Sequence, residues 1–179
     1  MLLIYLDTNV ILARYAPGEP QHGEAKGLVS KIEAGKLSAV TSVLTLIEVA
    51  CATSRAYERF DEKVRGLGRE EVAGAFLRRV VGIAELGFIP LGGEVSVDVA
   101  DRRVEFPALF VLALEIGAKA GVKTLDALHL ASASVASRIY GHKVDCFVTL
   151  DEDILRRREA LGSLIETRVV APADLSGIG

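Results

Sequence analysis

Four acids interrupt stretches where acids are out of place. Asp7 ends the apolar run Leu2-Leu3-Ile4-Tyr5-Leu6, and Glu48 sits within Val43-Leu44-Thr45-Leu46-Ile47-Glu48-Val49-Ala50-Cys51. Asp126 follows Thr124-Leu125 at the head of an Ala- and Leu-rich segment, and Asp151 ends Cys146-Phe147-Val148-Thr149-Leu150. Four carboxylates in one pocket would repel strongly, so the pocket would take up protons or cations. All-oxygen ligands without His or Cys clusters favour Mg2+ or Mn2+. Hard divalent ions there can activate water, hold a phosphate and stabilise a leaving oxygen. The matching chemistry is hydrolysis of a phosphodiester, and bound cations would reconcile an acidic chain with a nucleic-acid substrate.

Each acid also has a plainer reading. Asp7 and Asp151 can cap helices that begin after them, since Asp is a favoured N-cap. Asp126 can complement a helix dipole from the first turn. Glu48 can lie on a solvated stripe, paired with Arg55. That last alternative is weak, because few polar residues share the stripe between Val43 and Ala52, and an unpartnered buried carboxylate is costly. His129 lies one turn after Asp126. A lone His on a helix is ordinarily packed or partly exposed, and it is assigned no role.

The elements that must position these acids alternate between strand and helix. Met1–Leu6 is apolar on both faces, as expected of a buried strand in a parallel sheet. A short helix over Asn9–Tyr15 closes at Pro17-Gly18. Ala25, Leu28, Val29 and Ile32 form one stripe, predicting a helix over Gln21–Ala34. Leu37–Thr41 is a second strand, and Ser42 caps the helix that holds Glu48. The charged stretch Arg55–Glu71 leads into helical spacing over Val72–Ala84. Gly87 and Gly92 bound a third strand over Phe88–Leu91. Helices are expected over Ser96–Arg103 and Ala108–Ala120, separated by Pro107. Thr124 caps a helix running to Tyr140, Asp145–Leu150 is a fourth strand, and Leu164–Val170 is a last one. This alternation implies βαβ crossovers and a parallel sheet. Ligands bind at the carboxyl ends of such strands, where Asp7 and Asp151 would stand as neighbours if the first and fourth strands pair.

Composition narrows the alternatives. With 179 residues, one domain spanning 1–179 is expected. Hydrophobic residues make up 50% of the chain, enough for a full core, and the net charge of -3 excludes a generally basic nucleic-acid binder. Cys51 and Cys146 form no disulfide framework or zinc spacing and read as core thiols of a reducing compartment. The apolar opening lacks a basic leader. Ala108–Leu114 is too short to span a bilayer, so a soluble cytoplasmic protein with no membrane association is expected. Neither a Gly-rich phosphate loop nor a G-x-S-x-G elbow occurs. Arg156-Arg157-Arg158 is either a solvated basic face or an edge that contacts phosphates.

Four segments together resemble the signature stretches of PIN-domain ribonucleases, most closely the VapC-type toxins of toxin–antitoxin pairs. They are Leu6-Asp7-Thr8-Asn9-Val10, Thr41-Ser42-Val43-Leu44-Thr45-Leu46-Ile47-Glu48, Leu125-Asp126-Ala127-Leu128-His129-Leu130-Ala131 and Val148-Thr149-Leu150-Asp151-Glu152-Asp153. Each is weak alone; the ordered set is specific and spans nearly the whole chain. The excursion around 55–84 makes this chain longer than a compact member. The resemblance implies a three-layer α/β/α fold with a central, mostly parallel sheet of about five strands. It also implies metal-dependent cleavage of RNA at Asp7, Glu48, Asp126 and Asp151. Asp7 and Asp126 would be direct Mg2+ or Mn2+ ligands, with Glu48 and Asp151 binding directly or through water. Thr8, Asn9 and Thr149 would orient carboxylates, and Asp153 would be an uncertain fifth acid. A homodimer and an antitoxin partner across the active-site groove are implied as well.

Other readings stay open at this level. One is a PIN-type nuclease of RNA processing outside a toxin system. Another is a haloacid-dehalogenase-like phosphohydrolase, although its motif wants a second Asp where Asn9 stands. A third is a non-catalytic RNA-binding module.

Overall fold

The computed structural model describes residues 1–55, 66–139 and 143–177. Five parallel strands form the central sheet in the order β3-β2-β1-β6-β7. They are β1 (Leu3–Leu6), β2 (Ser38–Ser42), β3 (Leu86–Ile89), β6 (Cys146–Val148) and β7 (Arg168–Val170). β1 lies at the centre because all four of its residues are apolar and buried, which suits a strand covered on both faces. Its register pairs Tyr5 with Val40 of β2 on one side and with Phe147 of β6 on the other.

Side chains alternate across the sheet, so β1 feeds two cores. Ile4 and Leu6 pack with Val10 of α1 (Thr8–Arg14), Leu28 of α2 (His22–Glu33), Val49 of α3 (Leu44–Arg55) and Phe76 of α4 (Arg69–Val81). Leu3 and Tyr5 pack with Leu109 of α5 (Ala108–Ala120), Leu130 of α6 (Thr124–Ile139) and Leu161 of α8 (Arg158–Ile165). The result is the expected three-layer α/β/α arrangement. The chain moves outward from β1 to β2 and β3, then returns beside β1 for β6 and β7. Strand order therefore reverses at the β1–β6 pair, and such a reversal opens a crevice at the carboxyl ends.

The segment expected to be helical over Ser96–Arg103 is instead an antiparallel hairpin of β4 (Glu94–Val99) and β5 (Arg102–Pro107). Val95, Val97 and Val99 alternate with Ser96 and Asp98 in sequence, a two-residue period that belongs to a strand. Ala100 and Asp101 form a two-residue connection with φ of 47° and 63°, the twist that tight hairpins require. Pro107 does separate the elements, as the last residue of β5 and the N-cap of α5.

Smaller differences lie at element ends. Leu164 and Ile165 belong to α8, which stops where Glu166 turns left-handed at φ 56°, so the last strand begins only at Arg168. The helix expected from Val72 begins at Arg69, helped by the Glu71 carboxylate accepting from the Gly68 N–H at 2.9 Å. Within the charged excursion, residues 56–65 lie outside the described residues, as does Tyr140 at the expected end of α6. Cys146 is buried, but Cys51 is exposed, so only one of the two thiols belongs to the core. Among the described residues, no helix is long and apolar enough to cross a membrane.

Candidate active site

Asp7 is the first residue beyond β1, and its backbone N–H still bonds to the Val148 carbonyl at 3.0 Å. It is 7% exposed, and its carboxylate accepts three hydrogen bonds. Oδ1 accepts from the Thr8 N–H at 2.7 Å; Oδ2 accepts from the Thr149 hydroxyl at 2.7 Å and the Asn9 amide at 2.8 Å. Asn9 also donates to Thr149 Oγ1 at 3.0 Å and accepts from the Leu150 N–H at 2.9 Å. Both the capping position and the strand-end position expected of Asp7 are therefore occupied by one carboxylate. Burial pushes its carboxyl above the usual range and the Glu48 charge adds to this, against the pull of His129 and Thr149.

Glu48 reaches the same crevice from α3. Its Oε2 accepts from the Thr8 hydroxyl at 2.5 Å and from His129 Nε2 at 2.5 Å. Burial alone would raise its pKa; the His129 hydrogen bond and charge, with Thr8, outweigh burial and hold it below the usual range. The Glu48–Arg55 pairing considered above does not form: Arg55 Nε donates to the Cys51 carbonyl at 3.0 Å. Thr8 Oγ1 lies 3.1 Å from Thr45 Oγ1, which is 2.7 Å from Thr41 Oγ1, and the Thr41 hydroxyl donates to the Leu6 carbonyl at 2.7 Å. This buried ladder fixes the base of α3 to the end of β1.

Asp126 comes from the first turn of α6 and is half-buried. Its carboxyl is raised by burial first, then by the charges of Asp151 and Asp7. Asp151 caps α7 (Glu152–Arg156), with Oδ1 accepting from the Asp153 and Ile154 N–H groups at 2.7 and 3.1 Å. Thr149 Oγ1 accepts from the Asp151 N–H at 3.0 Å, so one hydroxyl contacts both Asp7 and the turn that carries Asp151. Asp153 is exposed and pairs with Arg156. The other two arginines of that run are also engaged. Arg157 donates to the Ala120 carbonyl at 2.8 Å, and Arg158 lies 3.9 Å from the Asp174 carboxylate.

Sequence reasoning passed over His129. It is 2% exposed and lies three residues after Asp126, on the same helix face. Nε2 meets Glu48, and Nδ1 lies 2.7 Å from the Tyr5 hydroxyl. Burial lowers its proton affinity, but the Glu48 hydrogen bond and the charges of Asp7, Glu48 and Asp126 raise it further, for a net upward shift. The available signal was the i, i+3 spacing from Asp126 in a helix otherwise apolar at that point.

Asp7, Glu48, Asp126 and His129 line one cleft of about 680 Å3. Its rim includes Ile47 and Leu125, 62% and 46% exposed. A larger cleft of about 930 Å3 runs beside β7 but contains none of the four acids. The donor set suits a hard divalent cation: carboxylates that raise one another's pKa would be relieved by positive charge. As placed, no three Asp, Glu, His or Cys side chains among the described residues close on a single point to ligate an ion.

No family profile and no curated protein matches the chain. Among solved structures it is similar to Mycobacterium tuberculosis VapC20, described as a sarcin-ricin loop cleaving toxin. The TM-score is 0.50 and the identity 20%, covering 86% of this chain and 93% of that one. At that identity the likeness is one of fold, a three-layer α/β/α PIN-like fold.

Proposed function

We propose that the chain is an Mg2+- or Mn2+-dependent endoribonuclease that hydrolyses RNA phosphodiester bonds as the toxin of a toxin–antitoxin pair. The observation that carries this reading is the meeting of Asp7, Glu48 and Asp126 in one cleft, with Asp151 close enough to raise Asp126, where strand order reverses. The fold shared with VapC20, itself described as a sarcin-ricin loop cleaving toxin, supports it.

In this reading Asp7 and Asp126 hold the cation, and Glu48 and Asp151 complete the site directly or through water. When bound, the ion supplies charge neutralisation for the scissile phosphate and lowers the pKa of water. The protein's own part is to orient. Thr149 and Asn9 fix Oδ2 of Asp7, and Thr8 fixes Oε2 of Glu48. The exposed Ile47 and Leu125 offer an apolar rim on which an antitoxin segment would seat. A homodimer acting in the cytoplasm completes the proposal.

A dehalogenase-type nucleophilic Asp7 fits poorly, because Asn9 stands where that motif wants a second acid and is committed to Asp7, Thr149 and the Leu150 N–H.

The test is cleavage of a mixed panel of structured and unstructured RNAs by purified protein with Mn2+ or Mg2+. It is repeated with a chelator and with Asp7→Asn. Cleavage that requires both metal and Asp7 is the expected result. Cleavage that persists in chelator or in Asp7→Asn would sink the assignment.

A further inference from the structure

Glu48 stands on α3 in one helical layer, and His129 stands on α6 in the other. Their 2.5 Å contact is a direct polar tie between the two layers across the end of the sheet. An ionised carboxylate can only accept, so Nε2 of His129 carries the proton in this contact. Behind the ring, Nδ1 meets the Tyr5 hydroxyl at 2.7 Å. That hydroxyl donates to a neutral imidazole or accepts from a protonated one, and in both cases Nε2–H points at Glu48.

Tyr5 has little freedom to move. It is fully buried in the central strand, with its ring stacked on Phe147 at 5.3 Å and 9°. A rigid series therefore runs from the sheet through Tyr5 and His129 to Glu48. Both His129 and Thr8 act on the same oxygen, Oε2. Among the described residues, Oε1 meets no protein donor.

We propose that His129 is a positioning residue for Glu48. Braced by Tyr5, it pins Oε2 together with Thr8 and leaves Oε1 as the oxygen presented to the cleft. The consequence for cation binding rests on the metal-dependent reading above. Orienting partners of carboxylate ligands set metal affinity by removing the freedom of the ligand to turn away.

The experiment uses the full chain and two readouts. The first is Mn2+ affinity, followed by electron paramagnetic resonance of the free ion. His129→Leu is expected to weaken binding about tenfold or more, whereas His129→Gln, whose amide can donate near the Nε2 position, stays close to wild type. Glu48→Gln weakens binding too, and adding His129→Leu to it costs little more. An equal loss from His129→Leu with and without Glu48→Gln would show that the imidazole only shapes the fold, and would overturn the proposal.

The second readout is the 15N-detected Nε2–H signal of His129, with no metal added. It is expected to move on Glu48→Gln; an unmoved signal would also overturn the proposal. If wild type bound no Mn2+ while that signal moved, the metal-dependent reading would fall and the positioning role would stand.

Discussion

The hydroxyl of Thr149 lies 2.7 Å from Oδ2 of Asp7, across 142 residues of sequence. It joins the carboxyl ends of two paired strands, β1 and β6, at the point where strand order reverses. Asn9 doubles the tie by reaching both partners. Thr149→Val keeps the shape and removes the donor. Hydrogen bonds to charged groups are worth about 1.5–3 kcal/mol, so RNA cleavage should fall roughly ten- to hundredfold. Cleavage rates measured beside a circular-dichroism melt would check this, the fold surviving while activity drops.

Asp126→Asn should separate function from stability. Asp126 is raised by burial and by the charges of Asp151 and Asp7, so its ionised form opposes the folded state near neutral pH. Removing that charge is expected to abolish cleavage while raising Tm by about 2–4 °C per kcal/mol recovered. A lower Tm at pH 7.5 in a metal-free melt would contradict the crowding of acids described here.

The His129–Glu48 pair predicts a pH window. His129 is raised above its ordinary 6.5, so its contribution to stability is complete below that value and fades as pH climbs through the folded-state pKa. Glu48 is lowered from its ordinary 4.5, so its contribution is complete above that value and fades as pH falls through the folded-state pKa. Asp7 and Asp126 also face the imidazole and favour its charged form. Urea unfolding of wild type and His129→Gln should differ most between pH 4.5 and 6.5 and converge on either side. A difference that kept growing at alkaline pH would refute the sign.

The hairpin turn holds two non-glycine residues at positive φ, Ala100 at 47° and Asp101 at 63°. Left-handed backbone costs an ordinary L-residue roughly 1 kcal/mol, and glycine avoids that cost. Asp101→Gly should therefore stabilise the turn by several tenths of a kcal/mol, seen as slower amide exchange along β4 and β5. Faster exchange in the variant would argue against this turn geometry.

Much of the architecture was determined by local sequence. A fully apolar β1 has to be covered on both faces, and an acid placed where such a run ends has to emerge at a sheet edge. This is why Asp7 and Asp151 could be located from spacing alone. The 3.6-residue stripes of α2 and α4 were legible for the same reason, since periodic burial leaves a periodic pattern. The hairpin leaves a pattern too, the alternation of Val95, Val97 and Val99, but three residues of a two-residue period are too few to outweigh the helical expectation over Ser96–Arg103.

Tertiary structure alone decided the partners. Whether Glu48 faced water or a donor of the protein depended on α6 crossing the end of the sheet opposite α3, a pairing 81 residues apart. No local pattern encodes such a distance. The same holds for His129, whose role comes from Tyr5 behind it and Glu48 before it. It holds for Cys51, exposed because its helix face turns toward the cleft rather than the core. Side-chain chemistry is written in the sequence, but which groups share a low-dielectric crevice follows from strand order, which long-range packing decides.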